Sequence, residues 1–563
     1  MLFRSYSTGA WAIIDRIVVE HLADGEKSAV TEEKTAEYQR LTIPAAWLQK
    51  CFTFDLAKML NMQGVQYKRY EKAGLANNTA VQKQMELAKK LHVLCSGKLD
   101  LGLLPQIESG LLDSSLNWQT VEDMALFNKD TVLPPVSTQK LDVIAPIDGR
   151  AGATLLIDNG FYEPVNYRIS VKGDAASSVK PSRLHWVDGV PDCPIPVGNE
   201  EILELGSGAP AGFMVDFSAK GLKPGTYKGE LILSPLDSRL PERKIAYDFK
   251  VINYRLPDVL PIRTFMFDFN SAANPELMAL LRETRINTFH VTLHDRNDFR
   301  NLHRMIDEID KNGIRDTSTL FIEVWFVRYA KEWKPEFNAW LDRLVKELES
   351  RNWGYDRWIL HIYDEVLNEE FYQSAKAIKA HNPNVRIFSD CIAKDEATVK
   401  KFSGVVDAWC PLMRSQTEQR AMFSEATKAM RATGLPVMVY DCDSTATYPL
   451  DRYRVMPYLA WLDGDQGAVF WSTISGKLRN PQGQDNWGMS YKVNGQIIPS
   501  RRWRMWAAGL EDYLLLVRAA ELKPAETRKL AEAVFAAFGK PEFAAVTERT
   551  RLGLLEIIAG ADK

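Results

Sequence analysis

The hydrophobic pattern changes twice along the chain. Up to about residue 140 it is helical. In TAVQKQMELAKKLHVL the apolar residues Val81, Met85, Leu87 and Leu91 recur at helical spacing, so residues 1–140 are expected to be mainly helix and loop. From about 141 the runs become short and β-rich: KLDVIAPI, GATLLIDN, VNYRISVKG, GFMVDFSA, GTYKGELILSP and RKIAYDFKVINY. Gly, Pro, Asp and Asn punctuate them at intervals of roughly 10 to 20 residues, which predicts an antiparallel β-sandwich over 141–256.

A third texture starts at the proline-bearing stretch LPDVLPIRTF. Apolar runs now alternate with amphipathic helical segments. The runs are 263–269, 286–295, 319–327, 357–365, 384–390, 405–411, 436–443 and 467–473. Each is followed by a helix pattern. The runs are continuously apolar rather than alternating, as strands covered on both faces should be. Eight such pairs over 257–523 predict an α/β fold with a (β/α)8 TIM barrel, which typically takes about 250 residues. A doubly wound open sheet is the competing arrangement, but no glycine-rich phosphate loop follows any strand. Residues 524–563 read as a helical cap.

Composition narrows the function by exclusion. The chain is 46% apolar and 25% charged with a net charge of −3, and its Lys and Arg are scattered. That offers no footprint for nucleic acid. No stretch approaches the roughly 20 apolar residues that membrane insertion needs. Cys51, Cys95, Cys193, Cys391, Cys410 and Cys442 lie far apart without ligand spacing, so no metal and no cofactor is expected. The first residues, MLFRSYSTGAWAIIDRIVV, do not read as a signal peptide. Nothing sets the oligomeric state.

Chemistry in such a barrel belongs at the carboxyl ends of the strands. The predicted strands end in Asp268 and Asn270, His294 and Asp295, Trp325 and Arg328, Asp364 and Glu365, Ser389 and Asp390, Trp409, Tyr440 with Asp441 and Asp443, and Trp471 with Ser472. Acids and aromatics gathered in this way point to a carbohydrate partner. Carboxylates handle an oxocarbenium-like transition state, and rings stack on the apolar faces of sugars. A single acid here also serves as an N-cap for the next helix, a reading open for Asp295 and Asp390. The expected substrate contacts are His294, Asp390, Trp409, Tyr440, Asp441 and Trp471. Asp485 and Trp487 join them from the loop RNPQGQDNWGMSYKVNG. His361 is expected to face the helix layer, three residues before Asp364, with Leu360 and Ile362 lying below Asp364 on its inward face.

The adjacent pair Asp364–Glu365 closes the apolar run LHIYDE. Glycosidases with two catalytic acids usually take them from different strands and hold them about 5 Å or 6.5–9.5 Å apart. Neighbours suit a substrate that supplies its own nucleophile, the carbonyl oxygen of a 2-acetamido group. Asp364 then orients that group, and Glu365 acts as general acid/base. Two other readings stay open: a glycosidase of different specificity pairing Glu365 with Asp390, Asp441 or Asp443, and a non-catalytic carbohydrate-binding protein.

Two stretches carry a family resemblance. One is the YDE that ends the fourth strand. The other is GQIIPSRRWRMWAAGLEDYLLL, with Pro499, Ser500, Arg502, Trp503, Gly509, Glu511, Asp512 and Tyr513 in order. With GAVFWST, these resemble glycoside hydrolase family 123, the β-N-acetylgalactosaminidases and their relatives, over about residues 141–523. The resemblance implies a β-sandwich ahead of a catalytic barrel and N-acetylgalactosamine as the sugar. It implies a periplasmic or extracellular setting. It places the family's acetamido-orienting Asp at Asp364 and its acid/base Glu at Glu365. Arg504 stands where an acid often follows Arg-Trp.

Overall fold

The structure is a computed structural model. It describes residues 45–96, 104–125, 127–128, 130–238, 240–267, 274–390, 393–413, 420–442, 444–474 and 487–561.

Three helices open the described chain: α1 (Ala45–Lys72), α2 (Thr79–Ser96) and α3 (Leu104–Ser115). Met59, Leu91, Ile107 and Leu111 bury the shared face against Phe161, Val165 and Leu240 of the following domain. Val81 and Leu91 are buried as the helical spacing requires.

The sandwich strands are β1 (Leu116–Val121), β2 (Lys140–Ile147), β3 (Arg150–Asn159), β4 (Val165–Gly173), β5 (Val179–Val187), β6 (Val190–Pro196), β7 (Leu203–Leu205), β8 (Pro210–Ser218), β9 (Gly225–Pro235) and β10 (Arg243–Arg255). They form two sheets, β1-β3-β8-β5-β6 and β2-β10-β9-β4-β7. Strand β1 pairs with β3, so this sheet takes in residues upstream of 141. The sandwich is not wholly antiparallel, because β2 runs parallel to β10. A parallel pair needs a long crossover, and the whole intervening sandwich supplies it. Alternate residues of β10 (Ile245, Tyr247, Phe249 and Val251) face a core that includes Phe213 and Phe217.

The next eight strands are β11 (Arg263–Phe267), β12 (Thr288–Leu293), β13 (Thr319–Val324), β14 (Trp358–His361), β15 (Ile387–Ser389), β16 (Ala408–Trp409), β17 (Met438–Asp441) and β18 (Gly467–Trp471). Helices alternate with them: α4 (Pro275–Glu283), α5 (Arg300–Lys311), α6 (Trp325–Ala330), α7 (Glu336–Ser350), α8 (Glu369–His381), α9 (Glu396–Phe402), α10 (Arg420–Ala432), α11 (Asp451–Asp463) and α12 (Arg501–Leu522). Helix starts follow local chemistry. Asn274, Asn368, Asp395 and Ser500 each accept backbone N–H groups at an N-cap.

The eight strands make a mixed α/β unit of two parallel sheets rather than one closed ladder. The sheets are β12-β13-β14-β15-β16 and β11-β18-β17. Two isolated bridges, Trp409–Val437 and Leu412–Tyr440, connect them on one side. On the other side, β11 and β12 share no ladder among the described residues. The side chain of Asn287 works there instead. Its Oδ1 accepts from Thr264 N at 2.9 Å, and its Nδ2 donates to Ile262 O at 2.7 Å and Leu260 O at 3.3 Å. One face of the strands packs Phe265, Phe267, Phe321, Ile359, Phe388, Met438 and Tyr440 together. The opposite face meets the helices.

Between β18 and α12 lies a hairpin, β19 (Ser490–Val493) and β20 (Gln496–Pro499). Part of the loop read as irregular is therefore paired strand. The chain closes with α13 (Pro524–Ala537) and α14 (Phe543–Gly560). No described helix is long and apolar enough to cross a membrane.

The closing motif is a structural joint. A Cβ on Gly509 would lie 2.8 Å from Arg454 O, so α11 and α12 approach closely there. Glu511 accepts from Arg150 N, Arg285 and Arg551, which ties the sandwich, the α/β unit and the closing helices together. Asp512 accepts from Arg454 and Arg551. Charges this deeply buried persist only when paired.

Candidate active site

Strand β14 presents Ile359 and His361 to the interior face, and Leu360 to the helix layer. The expectation for this strand was the reverse. His361 packs against Phe321 and Phe388, with ring centroids 5.1 and 5.8 Å away. Alternation counted back from Asp364 fails because pairing stops at His361 and the chain leaves the extended path. Ile362 and Tyr363 both turn to the helix side, where Tyr363 stacks on Phe371 at 5.7 Å. Glu365 has φ +54°, the left-handed region that a residue with a Cβ seldom enters.

That turn brings both acids to a mouth at the carboxyl end of the strands, each with its own partner. Asp364 Oδ2 meets Arg328 Nη1 at 2.8 Å. Glu365 Oε1 accepts from the Tyr440 hydroxyl at 3.1 Å, and Glu365 N donates to Asp390 Oδ1 at 2.9 Å. Partial desolvation pushes both carboxyls above their ordinary values. Asp390 adds to the rise at Asp364, while His361 and Arg328 oppose it. At Glu365 the Tyr440 hydrogen bond opposes the rise, and the charges of Asp364 and Asp390 add to it.

Beneath the acids lies a buried row of alternating acids and histidines. His361 Nε2 is 3.1 Å from Asp390 Oδ2, and its Nδ1 is 3.8 Å from Glu323 Oε1. Glu323 Oε2 is 3.1 Å from His290 Nε2 and accepts from Thr292 Oγ1 at 3.3 Å. Strand register produces this row, because Thr292 sits opposite Glu323, and Glu323 opposite His361. Burial works against a charged His361, yet Asp390 and Glu323 hold its pKa up at about 9. Burial likewise works against a charged Glu323, yet His290 and His361 hold it down to about 2.

Single ligand atoms of His361, Asp364 and Asp390 lie within 4.8 Å of one another, the spacing a metal could use. The chemistry of the group is that of an ion pair. His361 Nε2 faces Asp390 Oδ2 at 3.1 Å, and Asp390 Oδ1 accepts from Glu365 N.

The other expected contacts divide. His294 is exposed at the end of β12, with its ring 5.9 Å from Trp325. Trp471 and Trp487 meet edge to face at 5.7 Å, and Trp487 is exposed. Tyr440 reaches the site through its hydroxyl. Trp409 does not reach it: the residue is fully buried in the helix-side core. Asp441 is also fully buried, and Arg452 lies 3.8 Å from its Oδ2. Tyr440 faces inward, so its neighbour on the same strand faces out. Asp390 is buried beneath the acids and does not cap a helix; Asp395 takes that role for α9. Asp485, with Asp268, Asn270 and Asp443, lies outside the described residues.

Sequence reasoning passed over Glu323 and His290, and did not connect Arg328 with Asp364. The signal was a lone acid inside the apolar run TLFIEVWFV. A carboxylate in a buried strand requires partners, and the flanking strands carry His290 and His361. A cleft beside the acids is lined by Glu323, Trp325, Arg328, His361 and Asp364. Arg328 also lies over the Trp325 ring, 4.9 Å from its centroid.

No family model matches the chain, and no curated protein matches it. The fold is similar to that of a family 123 glycoside hydrolase from Clostridium perfringens, a structure described in terms of glycolipid glycan hydrolysis. The TM-score is 0.63 at 11% identity, over 79% of this chain and 99% of that one. A family 39 glycoside hydrolase from Bacteroides cellulosilyticus WH2 gives a TM-score of 0.33 at 11% identity, over 61% of this chain and 80% of that one. A Bacteroides ovatus GH5 xyloglucanase, in complex with a XXXG heptasaccharide, gives 0.28 at 11% identity, over 70% and 99%. The first likeness shows a common fold. The other two share too little of the chain's path to bear on it.

Proposed function

We propose that the chain is a glycoside hydrolase that cleaves β-linked 2-acetamido sugars, N-acetylgalactosamine foremost, by substrate assistance. The acetamido carbonyl oxygen attacks the anomeric carbon as the bond to the leaving oxygen breaks. Glu365 gives its proton to that oxygen, and an oxazoline forms. Asp364 accepts the acetamido N–H and steadies the charge that develops there. Water, deprotonated by Glu365, then opens the oxazoline and restores the acetamido group with net retention.

One observation carries this reading. The described acids that a two-carboxylate mechanism would recruit, Asp390 and Asp441, are buried and engaged, while Asp364 and Glu365 both stand at the mouth. The raised carboxyl of Glu365 suits a proton donor. Aromatic faces at Trp325, Trp471 and Trp487 suit a sugar.

A panel of chromogenic glycosides tests the proposal. Turnover confined to 2-acetamido substrates, with tight inhibition by a thiazoline mimic of the oxazoline, is the expected result. Cleavage of sugars with a 2-hydroxyl would instead favour a different glycosidase. Sugar binding without turnover would favour a binding protein.

A further inference from the structure

We propose that Asp390 is a positioning residue for Glu365 and not a sugar ligand: its carboxylate holds the Glu365 backbone in the left-handed turn that aims the acid/base carboxyl at the mouth. This inference rests on the acid/base assignment of Glu365.

Three independent features converge on it. First, Glu365 adopts φ +54° although it is not glycine, so its neighbourhood must hold it there. The contact in place to do so is the hydrogen bond from Glu365 N to Asp390 Oδ1, at 2.9 Å. Second, Asp390 is 2% exposed with both oxygens engaged, one by Glu365 N and one by His361. No face is left for a sugar hydroxyl. Third, Asp390 is itself braced from below. His361 sits against it at 3.1 Å and is backed in turn by Glu323 and His290. The brace crosses β12, β13 and β14 to the end of β15, so the turn at Glu365 is referenced to four strands. The Tyr440 hydroxyl then receives the carboxyl at the far side.

A positioning role and a binding role differ in what they disturb. Asp390→Ala removes the acceptor of the Glu365 N–H. Turnover of a 2-acetamido glycoside with a poor, unactivated leaving group is expected to fall on the order of 100-fold, the lower end of what a general acid supplies. With a 2,4-dinitrophenyl leaving group, which needs little proton donation, the loss shrinks to roughly tenfold or less. KM and thiazoline affinity stay near wild type. Asp390→Asn keeps an acceptor oxygen and rescues most of the turnover. It also carries the test where the alanine variant fails to fold, as judged by its melting curve. A fall in thiazoline affinity that parallels the fall in turnover would mean that Asp390 touches sugar, and would overturn the proposal.

A substrate-free arm separates this inference from the proposed function. In a crystal structure of Asp390→Ala, the Glu365 carboxyl is expected to leave Tyr440 and the backbone to relax from its left-handed turn. An unchanged Glu365 refutes the positioning role whatever the substrate proves to be. Wild-type protein inactive on every 2-acetamido glycoside refutes the function reading alone.

Discussion

Replacing Tyr440 with Phe tests how Glu365 is tuned. The hydroxyl donates to Glu365 Oε1 at 3.1 Å, a bond that favours the ionised carboxylate. Tyr440 is 4% exposed and packed among Phe265, Phe267, Phe321 and Phe388, so Phe keeps the packing and loses only the hydroxyl. A hydrogen bond to a charged acceptor is worth about 1.5–3 kcal/mol when buried. Glu365 stands exposed at the mouth, where water replaces part of the lost bond, so about 1 kcal/mol is the reasonable magnitude. At 1.36 kcal/mol per unit, that is about 0.7 of a pH unit. The sign follows from the donor. Losing a bond to the charged form raises the pKa of Glu365. A general acid works while protonated, so the basic limb of the kcat/KM profile moves up by roughly that amount. The assay is kcat/KM for an unactivated 2-acetamido glycoside between pH 4 and 9, with melting curves as the control for folding. A basic limb that stays still or moves down would refute the tuning argument.

Stability should depend on pH through the buried row. His361 is raised from about 6.5 to about 9, so its contribution is complete below 6.5 and lost as pH rises through 9. Glu323 is lowered from about 4.5 to about 2, so its contribution is complete above 4.5 and lost as pH falls toward 2. Melting temperature against pH should therefore be highest between these limits. Glu323→Gln should flatten the acid side, and an unchanged acid side would count against the row. Asn287→Ala removes the amide that joins β11 to β12 and strands the buried N–H of Thr264. A loss of about 2–4 kcal/mol is expected in denaturant unfolding, and a loss under about 0.5 kcal/mol would show that the seam holds without it.

Much of the architecture was present in local pattern. Continuous apolar runs followed by amphipathic helices implied eight parallel strands, and eight form. The N-caps at Asn274 and Ser500 are local chemistry of the same kind. Strand ends were a harder matter. Tyr440 and Asp441 were both expected at the sugar, yet neighbours on one strand cannot share a face, and only Tyr440 points in. Trp409 sits in a strand of two residues, too short for alternation to assign a side. Asn287 fell inside the run 286–295, read as strand, and nothing local says that its amide will complete a seam between strands.

The sequence by itself determined that Asp364 and Glu365 would follow a buried strand as neighbours, because they close the apolar run LHIYDE. It also determined which residues could cover both faces of the parallel strands. Only the tertiary structure decided what each acid would meet. Arg328, Tyr440 and Asp390 come from a helix, a strand and a strand end elsewhere in the chain, and their distances depend on register and on one left-handed turn at Glu365. The same holds for His361, whose charge is sustained by Asp390 and Glu323 on the strands either side of it. Hydrophobic periodicity is written locally in the chain, whereas a pKa and a hydrogen bond between distant residues exist only once the strands lie side by side.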